Sequence, residues 1–196
     1  MYIPENYQFL DVDEIFQFLD KRKNILDGVC ISGGEPLMQE KLIPFLKEIK
    51  KRGYEIKLDV TGNYLDRLKE IVDAKLVDYI AMDVKNTKGK YALTVGSESE
   101  NFPVESIDAC ISYIRTCGIP YEFRTTIVRE LHTKEDLIAM AKWLKGVDAW
   151  YLQQFQDSPN CIQEGFHSYN KQEMLEILEA VKQYVPNAEV RGVKEE

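Results

Sequence analysis

Between Gly53 and Lys85 the chain reads YEIKLDV (54–60), TGN (61–63), YLDRLKEIVDAKL (64–76) and VDYIAMDV (77–84). The first and last pieces have the length and apolar content of strands. Between them Leu65, Leu68, Ile71 and Val72 recur at the spacing of one helix face. Strand, helix and strand in that order make a βα unit, and strands joined by such a crossover lie parallel.

The same alternation runs outward in both directions. Further strands are expected at Gly28–Ser32, Tyr121–Val128 and Ala149–Phe155, with a weaker one at Ala188–Gly192. Helices are expected where Ile15, Phe16 and Leu19, then Leu42, Phe45, Leu46 and Ile49, then Ile107, Ile111 and Ile114 share a face. Asp11 with Glu14, Thr133 with Asp136 and Asn170 with Glu173 read as N-terminal caps; Gly53 reads as a C-terminal stop. The Thr133 cap precedes Leu137, Met140 and Leu144, and the Asn170 cap precedes Leu175, Leu178 and Val181. Asn86–Phe102 is the one long connection. The fold is therefore α/β with a parallel sheet, either open and doubly wound or curved like part of a (β/α) barrel. The order opens on a helix, so the first βα unit is expected to lack its strand.

At 196 residues this is one domain, residues 1–196, with enough chain to bury a core. Its 33 acidic against 25 basic residues give a net charge of -8, which argues against binding nucleic acid through bulk charge. No apolar run approaches a membrane span, and the start MYIPENYQ has no basic stretch followed by an apolar one, so a cytoplasmic protein is expected. Cys30, Cys110, Cys117 and Cys161 have no metal-ligand spacing and are expected to be free thiols, mostly buried. His132 and His167 fit no metal pattern and read as surface loop residues.

Ligands of parallel α/β sheets sit at the C-terminal ends of the strands. Those ends carry Ser32-Gly33-Gly34-Glu35-Pro36, Asp59-Val60-Thr61-Gly62-Asn63, Asp83-Val84-Lys85-Asn86, then Arg124 with Thr126, then Gln154 with Gln156. Carboxylates beside a lysine and an arginine suit a zwitterionic ligand. Each piece also has a bland reading. Gly33-Gly34 can be a tight turn, Asp59, Thr61 and Asn63 can be turn and cap residues, and Asp83 with Lys85 can be a plain ion pair. Arg124, on a core strand, needs a partner. Their shared placement favours a site.

From about Leu26 to Val193 the sequence resembles the radical S-adenosylmethionine (SAM) superfamily, and within it the activating enzymes of glycyl-radical enzymes, such as the anaerobic ribonucleoside-triphosphate reductase and pyruvate formate-lyase activators. Ile31-Ser-Gly-Gly-Glu-Pro-Leu37 resembles the GGE segment, Leu58-Asp-Val-Thr-Gly62 the L-D-T-N-G strand end, and Met82-Asp-Val-Lys85 the L-D-L-K strand end. The resemblance implies a partial TIM-like barrel of about six parallel strands. It assigns Gly33, Gly34, Glu35, Asp59, Thr61, Asp83, Lys85, Arg124 and Gln156 to SAM, and Asp59 with Asp83 to a monovalent cation. It also implies a [4Fe–4S] cluster held by C-x₃-C-x₂-C, an electron donor such as flavodoxin or ferredoxin, and a glycyl-radical enzyme as protein substrate, with no nucleic acid and no membrane.

The cluster motif is absent from this sequence. Three cysteines would leave one iron open for SAM, so the chain as given is expected to be inactive and to lack the N-terminal βα unit. The alternative is a cluster-free module that binds SAM or a partner without radical chemistry. The strand next to the lost one, Gly28–Ser32, would have an open edge, capped by Met1–Phe9 or paired with another chain as a dimer.

Overall fold

Six strands form one sheet in the computed structural model, which describes residues 9–97, 102–157 and 164–193. They are β1 (Gly28–Ile31), β2 (Glu55–Val60), β3 (Tyr79–Asp83), β4 (Tyr121–Ile127), β5 (Trp150–Gln154) and β6 (Ala188–Arg191). Their spatial order is β1-β2-β3-β4-β5-β6, and each adjacent pair is parallel. All six expected strands are present, with ends within two residues of the sequence reading. The strand order settles what the sequence left open. A doubly wound sheet reverses direction at a switch point, whereas strands laid down in chain order with right-handed crossovers put every helix on one face. The sheet is part of a barrel with one open face.

Among the described residues seven helices accompany it: α1 (Val12–Lys21), α2 (Leu42–Lys51), α3 (Leu65–Asp73), a short α4 (Tyr91–Thr94), α5 (Val104–Ile114), α6 (Lys134–Trp143) and α7 (Lys171–Lys182). Capping boxes start α1, α6 and α7 at Asp11, Thr133 and Asn170. Gly53, at φ +87°, follows α2 in the left-handed conformation of a helix stop. The connection read as one long loop holds α4 and a 3-10 turn at Lys88–Lys90; residues 98–101 of it lie outside the described residues.

Side chains alternate across each strand. Ile56, Leu58, Ile80, Met82, Phe123, Ile127, Trp150 and Leu152 face the helices and are fully buried. Lys57, Asp59, Tyr79, Asp83, Glu122, Arg124 and Tyr151 occupy the intervening positions, so the open face is polar. No described helix is long and apolar enough to cross a membrane.

The β1 end of the sheet is different. Helix α1 packs on α2, with the Phe16 and Phe45 rings 5.4 Å apart and the Tyr54 hydroxyl donating to Leu19 O at 2.6 Å. Val29 and Ile31 face the helix layer. The outer edge of β1 pairs with no described strand. Phe9, Leu10, Phe18 and Ile25, from the segments that precede β1 in the chain, are exposed. A cleft of about 390 Å³ opens between α1, α2 and the turn after β1, lined by Val12, Ile15, Ile31, Pro36, Leu42 and Phe45. The segment expected to cap this edge, Met1–Phe9, lies outside the described residues up to Gln8.

Two expectations need correction. His132 is not a surface residue: it is 1% exposed, because the turn after β4 folds its ring under the end of β3. The cysteines are mixed rather than mostly buried; Cys110 is buried, Cys117 half-buried and Cys30 exposed on the open face, all three as free thiols, while Cys161 lies outside the described residues. His167 is exposed and pairs with Glu130 at 2.7 Å.

Candidate functional site

Adjacent strands in register bring the acidic and basic strand-end residues together. Asp83 on β3 lies beside Arg124 on β4. Arg124 Nε donates to Asp83 Oδ1 at 3.0 Å, and its terminal NH1 donates to Asp59 Oδ2 at 3.1 Å, so one guanidinium bridges β2 and β3. Lys85 Nζ donates to the other Asp83 oxygen at 2.9 Å. The Arg124 and Asp59 side chains are 15% and 14% exposed; Asp83 and Lys85, at 31% and 39%, stand nearer the mouth. Burial alone would lower the Arg124 guanidinium, but the charges of Asp83 and Asp59 together hold it above its ordinary value. Asp59 Oδ1 is buried and accepts no hydrogen bond.

The turn after β1 is tied to the same end of the sheet. Gly33 has φ +139°, a conformation that favours glycine. Beyond it Glu35 Oε1 accepts from Leu37 N at 3.0 Å, and Oε2 accepts from both the backbone N–H, at 2.8 Å, and the hydroxyl of Thr61. Glu35 thus braces the β1 turn against the end of β2 with both carboxylate oxygens. Asn63 donates to the Thr61 hydroxyl. Gly62 follows at φ +93°, where an added Cβ would lie 2.2 Å from Met82 Cε. Gln156 is engaged elsewhere, donating to Gly192 O at 3.1 Å at the end of β6. Gln154 donates to Tyr169 O, and Thr126 is exposed beside Gln153.

A second polar layer lies one strand repeat below. Glu122, 2% exposed, receives Lys57 at 3.0 Å and the two terminal nitrogens of Arg191 at 3.3 and 3.0 Å. Burial would raise its carboxyl, and the hydrogen bonds from Arg191 and Lys57 outweigh that and lower it. The Arg191 guanidinium also sits over the Tyr151 ring. Lys57 Nζ is 3.8 Å from Asp59 Oδ1, so charge alternates from Arg191 through Glu122, Lys57, Asp59, Arg124 and Asp83 to Lys85. The sequence reading missed this layer. Its signal was available, since Lys57 and Glu122 stand two residues before Asp59 and Arg124 and must share their face.

Among the described residues no group of three or more histidine, cysteine or acidic side chains could hold a metal ion. Arg124 already bridges Asp59 and Asp83, the two residues that the resemblance assigns to a monovalent cation. Cys30 faces the site; its thiol is pushed up by burial and then by the charge of Asp59. Cys110, on α5 in the helix layer, is pushed up to about 12, chiefly by burial. The three described thiols, one exposed on the open face, one buried in the helix layer and one half-buried, do not fit a three-cysteine cluster.

A singly wound parallel sheet with helices on one face, and paired acidic and basic side chains at its strand ends, defines a partial (βα) barrel domain. The Radical SAM superfamily profile matches residues 2–144. A Methanocaldococcus jannaschii protein named provisionally as a glycyl-radical enzyme activating enzyme is 30% identical over 201 residues, covering 98% of this chain and 81% of that protein. A second protein of that organism, with the same provisional name, is 30% identical over 154 residues, 76% of this chain and 58% of its own length. Among solved structures, a domain of pyruvate-formate lyase-activating enzyme from Bacteroides vulgatus aligns with TM-score 0.68 and 19% identity, over 84% of this chain and 99% of that one. Streptococcus suis SuiB bound to S-adenosylmethionine aligns with TM-score 0.70 and 14% identity, over 96% of this chain and 45% of SuiB. The chain belongs to the radical SAM superfamily.

Proposed function

We propose that this chain is the SAM-binding core of an activase that generates a glycyl radical on a partner enzyme. The observation that carries this reading is the Asp59–Arg124–Asp83–Lys85 set, self-neutralised at the strand ends. A zwitterion can exchange into such a set without leaving a buried charge unpaired. Its carboxylate takes up Arg124 or Lys85, and its ammonium takes up the aspartate so released. SAM presents both groups on its methionine end. The provisional names of the two M. jannaschii relatives support the activase class and a protein substrate. Flavodoxin or ferredoxin as electron donor, and ribonucleotide reductase or pyruvate formate-lyase as partner, are expectations from the resemblance.

The described thiols offer no fitting set for the superfamily's [4Fe–4S] cluster. That same observation favours a second reading, a module that binds SAM or a partner without radical chemistry. Calorimetric titration with SAM tests the shared part. Saturable binding that Asp59→Asn and Arg124→Ala abolish is expected, with Glu179→Ala on the outer face of α7 unaffected. Binding indifferent to both site variants, or none at all, refutes the SAM site. Reductive SAM cleavage by the chain joined to any upstream coding sequence separates the activase from the module.

A further inference from the structure

Lys85 lies two places beyond the end of β3, and its peptide is gripped from both sides. Its N–H donates to the Tyr91 hydroxyl at 3.3 Å, and that hydroxyl donates to Asp83 O at 3.4 Å. Its carbonyl faces His132 Nε2 at 2.7 Å. The other ring nitrogen, Nδ1, faces Val128 N–H at 3.1 Å, where β4 has just ended. Nε2, facing the Lys85 carbonyl, must carry a proton; Nδ1 lies near both the N–H and the carbonyl of Val128, and in the neutral ring it accepts from the N–H. Tyr169, just before α7, completes the packing by donating its hydroxyl to His132 O at 2.6 Å.

The charged and titratable groups packed around the ring come from three elements. Lys90 after β3 and Asp136 at the start of α6 pair with each other at 2.6 Å. Tyr169 lies beneath the Arg129 guanidinium, which is 4.3 Å from its ring centre, and Arg129 is paired with Glu173. Lys85 points its ammonium away to Asp83. Burial holds the ring below its ordinary pKa, outweighing the Lys85 and Val128 backbone hydrogen bonds and the Asp136 charge, which favour an imidazolium; the Lys90 charge opposes it. If protonated, Nδ1 changes from acceptor to donor. Val128 O, at 3.2 Å, then becomes its partner and the Val128 N–H is orphaned.

We propose that His132 is a positioning residue whose neutral ring ties the Lys85 backbone, where the lysine meets Asp83, to the end of β4, and whose protonation breaks the Val128 side of that tie and weakens binding of a zwitterionic ligand. The inference rests on the reading of Asp83, Lys85 and Arg124 as a SAM site. It adds the residue that orients the lysine, and a proton dependence that the strand-end residues do not themselves demand.

The test uses the full chain at several values between about pH 7.5 and about pH 5.5, the range a histidine can report. Amide resonances of Lys85, Asn86 and Val128 are followed by NMR, and SAM affinity by calorimetry. The expected result is a common midpoint for the three amides and an affinity that falls about fivefold or more on acidification. His132→Gln, whose side-chain amide can accept and donate without titrating, should keep its affinity and show no pH dependence. His132→Ala should lose affinity across the whole range. SAM binding that is independent of pH in the wild type, or a pH dependence that persists in His132→Gln, overturns the inference. Amides that titrate together while SAM fails to bind at any pH refute the SAM site and leave the histidine grip standing. Amides without a common midpoint refute the grip itself.

Discussion

Replacing Arg124 with leucine removes the cation that bridges Asp59 on β2 and Asp83 on β3. Its Nε is 3.0 Å from Asp83 and its NH1 3.1 Å from Asp59, and the side chain is only 15% exposed. Removing one partner of a buried pair typically costs about 3–5 kcal/mol, because the remaining charge stays desolvated. The lower end applies to this site. Asp83 keeps Lys85 at 2.9 Å, and Asp59 keeps Lys57 at 3.8 Å, too far for a hydrogen bond but close enough to screen. The expected loss is therefore about 3 kcal/mol, which lowers Tm by about 6–12 °C in a domain of this size. Urea unfolding followed by the fluorescence of Trp143 and Trp150 measures it. Adding Asp59→Asn removes the stranded carboxylate and should recover about 1 kcal/mol or more. A single variant within about 1 kcal/mol of wild type, or a double variant no more stable than the single, would show that the bridge carries no load.

The remaining predictions concern pH, packing, thiols and the sheet edge. Because His132 is held below the ordinary imidazole value of 6.5, the unfolded chain takes up a proton that the folded chain refuses. Its contribution is complete above that value and is lost as pH falls toward the depressed folded value, so thermal stability should decline on acidification, less steeply in His132→Gln. At Gly28 an added Cβ would lie 2.8 Å from the Glu55 carbonyl oxygen, a backbone atom that cannot rotate away; Gly28→Ala should cost about 1–3 kcal/mol in a thermal melt, and an unchanged Tm would contradict the close approach of β1 to β2. Iodoacetamide at neutral pH should leave Cys110 unmodified until the chain unfolds, since its thiol is both buried and pushed up to about 12; peptide mapping that finds it labelled in the native protein would refute its burial. The outer edge of β1, which pairs with no described strand, and the exposed Phe9, Leu10 and Ile25 should produce concentration-dependent self-association, reduced by Ile25→Lys; light scattering that shows a monomer at all concentrations would refute this.

The sequence by itself determined the six strands, the six longer helices, the parallel sense of the sheet and the family; α4, inside the stretch read as one long connection, it did not show. Strand and helix periods are local, so Ile56, Leu58 and Val60 announce a strand, and Leu65, Leu68 and Ile71 a helix, without knowledge of any neighbour. The motifs at the ends of β1, β2 and β3 are also contiguous, which is why Glu35, Asp59, Asp83 and Lys85 could be placed at one end of the sheet. What those residues do to one another was decided only by tertiary structure. Strand order and register put Arg124 between two aspartates from two other strands, gave both Glu35 oxygens to Leu37 and Thr61, and sent Gln156 to β6. They also set Glu122, from the start of β4, against Lys57 and Arg191, residues 65 and 69 places away in the chain. His132 shows the limit most plainly. A histidine in a turn carries no local sign of burial, and its ring became the link between Lys85 and Val128 only because the turns after two neighbouring parallel strands emerge side by side at the same end of the sheet.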